Sequence, residues 1–180
     1  MVNIDVFHVE QKRDLVEAIG KVTVRWASFD HMLTEIVGIV LDNRAAAVDL
    51  ILTRPGAGRQ RVEAFERAIG GSKLEQWERA DLLELSGRAS QLLAKRNDIV
   101  HSPLVTSIEL EGTKFSYVIQ KMTRKGERKD FDPGDINRHL EDVSLLLVDL
   151  ENQFLLLAGR YVELPDDVEP PEDWPSIRDR

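Results

Sequence analysis

The stretch "LVEAIGKVTVRWASFDHMLTEIVGIV", residues 15–40, decides the fold class. Leu15, Ile19, Val22, Trp26, Phe29, Leu33, Ile36 and Val40 follow one another in alternating steps of four and three. That spacing keeps pace with the turn of an α-helix, so these side chains fall on one seam that must be covered by a partner helix. Near the other end, Ile136, Leu140, Val143, Leu147, Leu150, Phe154, Leu157 and Tyr161 repeat the pattern. Asp132-Pro133 opens this second helix with a side-chain acceptor for the first free amides, then a residue that has no amide hydrogen to satisfy. Each helix is roughly 30 residues and about 45 Å long at 1.5 Å per residue. Together they form the body of a bundle.

Shorter pieces lie between them. "NRAAAVDLILT" reads as a short helix stopped by Pro55-Gly56, and "RQRVEAFERAIGG" as another with Val62, Phe65 and Ile69 inward. Ser72 is expected to cap the next helix, with Glu75 completing a capping box. That helix turns Leu74, Trp77, Leu82, Leu85, Ala89 and Leu92 inward, and Pro103 sets its end at about His101. The period then changes. "TSIELEGTKFSYVIQ" alternates by two, setting Ile108 and Leu110 against Phe115, Tyr117 and Ile119 around a turn at Gly112. The expected architecture is all-α, an up-down bundle of about four to five helices, with a β-hairpin inserted over roughly residues 105–120.

Composition narrows the function classes. At 180 residues the chain suits one domain with a sizeable core. It has no cysteine, which rules out disulfides, thiolate nucleophiles and zinc–sulfur sites and fits a reducing, cytoplasmic location. "MVNIDVFHVEQKRD" is not read as a secretory signal, and no apolar run approaches the roughly 20 residues of a membrane span. The net charge of −8 argues against loose, sequence-blind binding of nucleic acid. Half of it is local: residues 164–180 hold six acids and two arginines, or −4. This proline-rich tail offers no periodic apolar face and is expected to be a solvated appendage to a body spanning residues 1–163.

Several chemistries have no support. "RPGAGRQR" lacks the Gly-Lys-Ser/Thr ending of a phosphate loop, no histidine or carboxylate spacing suggests a metal site, and there is no nucleophile elbow. No cofactor is expected. His31 and His139 sit beside the apolar seams and read as surface or interface residues. One segment does break pattern. In "AKRNDIVHSP", residues 94–103, the inward stripe through Leu85, Ala89 and Leu92 should continue with an apolar residue at position 96, and instead carries Arg96 followed by Asn97. Arginine has five donors to satisfy, so this placement is costly unless it is paired. A structural explanation is an ion pair with an acid of the first helix, such as Asp30 or Glu35. Asn97 and His101 share a face, whereas Arg96 and His101 are about 140° apart on an ideal helix. They can converge if the last turn unwinds before Pro103, or if they meet copies in a second subunit.

Arg96, Asn97 and His101 in "RNDIVHS" resemble the Arg-Asn-x-x-x-His signature of the HEPN superfamily, small all-helical proteins of which many are metal-independent ribonucleases in toxin–antitoxin, defence and RNA-processing systems. The likeness covers roughly residues 10–162, with the hairpin as an insertion. It implies an endoribonuclease with Arg96, Asn97 and His101 as catalytic residues and RNA as substrate. The residue types suit that chemistry: a histidine can take or give a proton near neutral pH, and a guanidinium binds phosphate oxygens through its planar fork. One histidine cannot readily be acid and base at once, so a homodimer presenting two copies is expected. "KMTRKGERKDF" supplies Lys121, Arg124, Lys125, Arg128 and Lys129 as candidate RNA-phosphate contacts. Two other readings stay open. One is a non-catalytic bundle that binds a protein or nucleotide; the other is an accessory or antitoxin-like component that forms hetero-complexes through its heptad seams, the partners expected being an antitoxin or another protein.

Overall fold

The computed structural model describes residues 4–6, 13–53, 58–111, 114–123 and 125–162. Pro55-Gly56, the turn at Gly112, Arg124 and the acidic tail lie outside the described residues. The chain is an all-α bundle with an inserted hairpin. In order it runs β1 (Ile4–Val6), α1 (Arg13–Leu41), α2 (Arg44–Val48), a π-helical turn (Asp49–Thr53), α3 (Gly58–Gly70), α4 (Gln76–His101), β2 (Leu104–Glu111), β3 (Lys114–Met122), β4 (Arg128–Asp130) and α5 (Gly134–Tyr161). It divides into two compact units, Met1–Arg25 with Ala94–Asp142 and Trp26–Leu93 with Val143–Arg180, and α1, α4 and α5 each give one segment to each.

The larger unit, whose elements among the described residues are all helices, is built on the predicted seams. Trp26, Phe29, Leu33 and Ile36 of α1, Val62, Phe65 and Ile69 of α3, and Leu82, Leu85 and Ala89 of α4 are buried, as are Val143, Leu150 and Leu157 of α5. Trp26 meets Phe29 edge to face at 4.9 Å, an arrangement that suits the ring quadrupoles. Each large apolar side chain so buried contributes about 1.5–3 kcal/mol relative to exposure. Asn43 caps α2 by accepting the Ala46 amide at 3.0 Å.

Two expectations for the start of α4 are corrected. Ser72 does not cap it: its hydroxyl donates to the Ile69 carbonyl at 2.6 Å and closes α3 instead. The box is shifted by one turn, with the Glu75 amide donating to the Glu78 carboxylate at 2.8 Å. The amides of Gly71 and Ser72 still bond the Arg67 and Ile69 carbonyls, at 3.1 and 3.2 Å, so Ser72 falls on the α3 side of the junction. Trp77, expected inside, is 48% exposed, because Glu78 takes the interior position at 0%. The Glu78 carboxylate also accepts Arg160 Nη1 at 3.1 Å and the Tyr161 hydroxyl at 2.8 Å. Arg160 lies 5.9 Å from the Trp77 ring centre and 5.5 Å from that of Tyr161.

The smaller unit joins the first half of α1, the end of α4 and the first turns of α5 to a sheet. The expected hairpin forms, with Ile108 opposite Tyr117 and Leu110 opposite Phe115. It is longer than expected and gains a short strand on either side, giving a four-stranded antiparallel sheet in the order β1-β2-β3-β4. Asp132 opens α5 as anticipated, accepting the Gly134 amide at 2.8 Å and Arg138 Nη2 at 2.8 Å. The Arg138 guanidinium, then that amide, hold this exposed carboxyl below its usual range.

His139 differs from the expectation: it is fully buried. The deepest stripe of α5 runs Ile136, His139, Val143, Leu146 and Leu150, while Leu140 and Leu147 are only half-buried. Steps of three and four can be entered in either phase, and the packing takes the other one. Burial, reinforced by the Lys95 charge and partly offset by Asp142, depresses the imidazole pKa.

Candidate active site

Helix α4 remains helical through His101, and Pro103 follows the residue that leaves it. At this end Arg96 is half-buried, and Asn97 and His101 are exposed. One guanidinium nitrogen, Nη1 of Arg96, donates to Asn97 Oδ1 at 3.0 Å and meets His101 Nε2 at 2.9 Å. Arginine can only donate, so in this contact Nε2 faces the guanidinium as the acceptor. The residues therefore converge within one chain and without unwinding of the helix. Five residues rise only about 7.5 Å along the axis, a span that an extended arginine side chain crosses. Asn97 contacts the arginine rather than the imidazole, so it orients the guanidinium.

The ion pairs considered for Arg96 do not form. Asp30 is engaged by Arg61, and Glu35 by Arg44 at 2.8 Å. Among the described residues Arg96 has no carboxylate partner. With both Nη1 hydrogens occupied, its Nε–H and the two Nη2 hydrogens have no protein acceptor there. The Nε–H and one of the Nη2 hydrogens point the same way and form a planar fork that matches two phosphate or carboxylate oxygens.

Two neighbours in the same unit were not singled out by sequence. Asp98, inside the motif, forms an ion pair with Lys121 of β3 and accepts the Ser102 hydroxyl at 3.3 Å. The four-residue step from Asp98 to Ser102 was legible; the pairing with Lys121, twenty-three residues on, was not. Of the basic run, Lys121 is thus tied to the motif helix. Lys125, Arg128 and Lys129 are exposed on the β3–β4 hairpin, where Gly126 takes φ 77° and its amide bonds the Thr123 carbonyl at 2.9 Å. Lys125 and Lys129 make no hydrogen bond or ion pair with the Arg96–Asn97–His101 cluster.

Among the described residues no group of three histidines, cysteines or carboxylates is placed to hold a metal ion. No helix among them is long and apolar enough to cross a membrane. Comparison with protein-family models, curated proteins and solved structures gives no match to this chain.

Proposed function

We propose that Arg96, Asn97 and His101 form an RNA-cleaving site of HEPN type, working without a metal through attack of the 2′-hydroxyl on the neighbouring phosphate. The observation that carries this reading is the contact set of Arg96. A half-buried guanidinium at a helix end turns to a histidine and an asparagine rather than to a carboxylate, and leaves its forked edge without a protein acceptor. A structural arginine would be expected to satisfy itself on an acid.

In this reading the forked edge of Arg96 takes two non-bridging oxygens of the scissile phosphate. Moving toward the phosphate withdraws Nη1 from the imidazole and frees the Nε2 lone pair. His101 Nε2 then accepts the 2′-hydroxyl proton as the 2′-oxygen bonds to phosphorus. The P–O5′ bond breaks, the leaving oxygen collects a proton from a second donor, and the products are a 2′,3′-cyclic phosphate and a 5′-hydroxyl. The guanidinium stabilises the charge that builds on the phosphorane. The second donor is the His101 of another copy in its protonated, imidazolium form, which is why the active species is proposed to be a homodimer. Light scattering at micromolar concentration should therefore give the mass of two chains; a one-chain mass with activity intact would remove the dimer.

The deciding comparison is wild type against His101→Ala on mixed RNA, with and without excess EDTA, alongside thermal melts. His101→Ala should melt as wild type does and cleave roughly 10²-fold more slowly or worse. Cleavage by the wild type should survive EDTA. Equal RNA decay by the two folded proteins would leave a binding module.

A further inference from the structure

The contacts around Asp98 assign a role to Lys121 that differs from that of its basic neighbours. Asp98 is the one carboxylate within the Arg96–His101 segment, and it lies two residues from the guanidinium proposed to bind phosphate. Left unpaired, it would repel an RNA phosphate at that spot. Lys121 is its ion-pair partner, and the Lys121 side chain is only 24% exposed. Across the β3–β4 pair, Lys121 stands opposite Lys129. Opposed residues of antiparallel strands share a face, and like charges so placed are destabilising. Asp98 relieves that repulsion by neutralising the inner lysine. The same contact fixes β3 to the end of α4, assisted by the bond from the Met122 amide to the Pro103 carbonyl at 2.8 Å.

We propose that Lys121 is a positioning residue that acts on RNA through Asp98. It cancels the carboxylate inside the motif and anchors the hairpin, so that the exposed Lys125 and Lys129 reach phosphates flanking the scissile one. This rests on the RNA-cleaving reading above and divides the basic run into one inner, committed cation and outer ones that meet the ligand.

The test uses the full chain and a fluorescently labelled single-stranded RNA of mixed sequence. Cleavage is compared for wild type, Lys121→Gln, Asp98→Asn and the double variant, with melts of each. Lys121→Gln should lower kcat/KM by about tenfold, the order expected of one uncompensated charge at close range. Adding Asp98→Asn should restore it to within about threefold of wild type, since the pair then carries no charge to cancel. Binding is measured on the His101→Ala background against salt. Lys129→Gln should reduce the slope of log affinity on log salt by about 0.7, the value for one phosphate contact on a single strand. The double variant should leave the slope unchanged. A double variant as impaired as Lys121→Gln, or one that loses the same 0.7, makes Lys121 a direct phosphate contact and overturns the proposal. The failure of the catalytic reading looks different, with wild type and His101→Ala alike in cleavage. In that case the salt slopes alone still decide the role of Lys121, and a protein that binds no RNA at all overturns both.

Discussion

Two histidines on packed helices illustrate how one residue type takes opposite roles. His101 is exposed at a helix end with its Nε2 turned to Arg96, whereas His139 is wholly buried. Burial favours the neutral imidazole of His139, so its folded pKa lies below the ordinary value. The unfolded chain therefore takes up the proton first as pH falls. The stability gained by burying this ring is fully present above its unfolded pKa of about 6.5 and is lost as pH drops from there toward the folded value. One such proton changes stability by at most about 1.4 kcal/mol per pH unit. Melting temperatures taken from pH 7.5 to 5.5 should fall more steeply for the wild type than for His139→Leu. Parallel curves would show that His139 does not govern this window.

At the scale of elements, the start of α4 and the end of α5 are tied by one buried carboxylate. Glu78 accepts from the Glu75 amide, Arg160 and Tyr161. Glu78→Ala should cost about 2–4 kcal/mol in urea denaturation, since it removes the buried acceptor of the Glu75 amide, the exposed Arg160 and the Tyr161 hydroxyl. Tyr161→Phe should cost about 1 kcal/mol. A change below 0.5 kcal/mol in Glu78→Ala would mean that Arg160, which also lies 3.7 Å from Glu75, simply changes partner. This junction also shows what a sequence conceals. The seams of α1 and α5 were legible because many apolar residues repeat one spacing, and an error of one residue changes little. Glu78 was hidden because an acid next to Trp77 looks like the solvent side. Strands β1 and β4 were hidden because three residues, "IDV" and "RKD", carry no usable alternation and pair only once a neighbour exists. The Arg96–Asn97–His101 cluster was legible as a break in a stripe. Its geometry was not, since the reach of one long side chain overrode the angular separation. The charged, three-residue β4 also blunts a sheet edge, so Lys129→Gln should be checked for self-association alongside RNA affinity.

For the molecule as a whole, charge sets the field in which any RNA must approach. The chain carries −8, of which residues 164–180 supply six acids less two arginines, or −4. Removing them halves the net charge. With Tyr161 still in place to bond Glu78, the truncated chain should melt within a few degrees of the full one. It should also bind single-stranded RNA more tightly at low salt, a difference that shrinks as salt screens the field. Equal affinity at low salt would show that the tail's charge is not felt at the site; a large drop in melting temperature would show that the tail packs on the body. The pairing of β1 with β2 has a consequence in time. Ile4 stands opposite Ile108, so about a hundred residues are synthesised between the two halves of that ladder. At roughly 5–20 residues per second, β1 waits on the order of ten seconds for its partner, while α1 to α4 are completed. β2 thus meets a ready partner as it emerges, and in a nascent chain β1, long without its ladder, is the place where a chaperone, or a neighbouring chain, finds its opening.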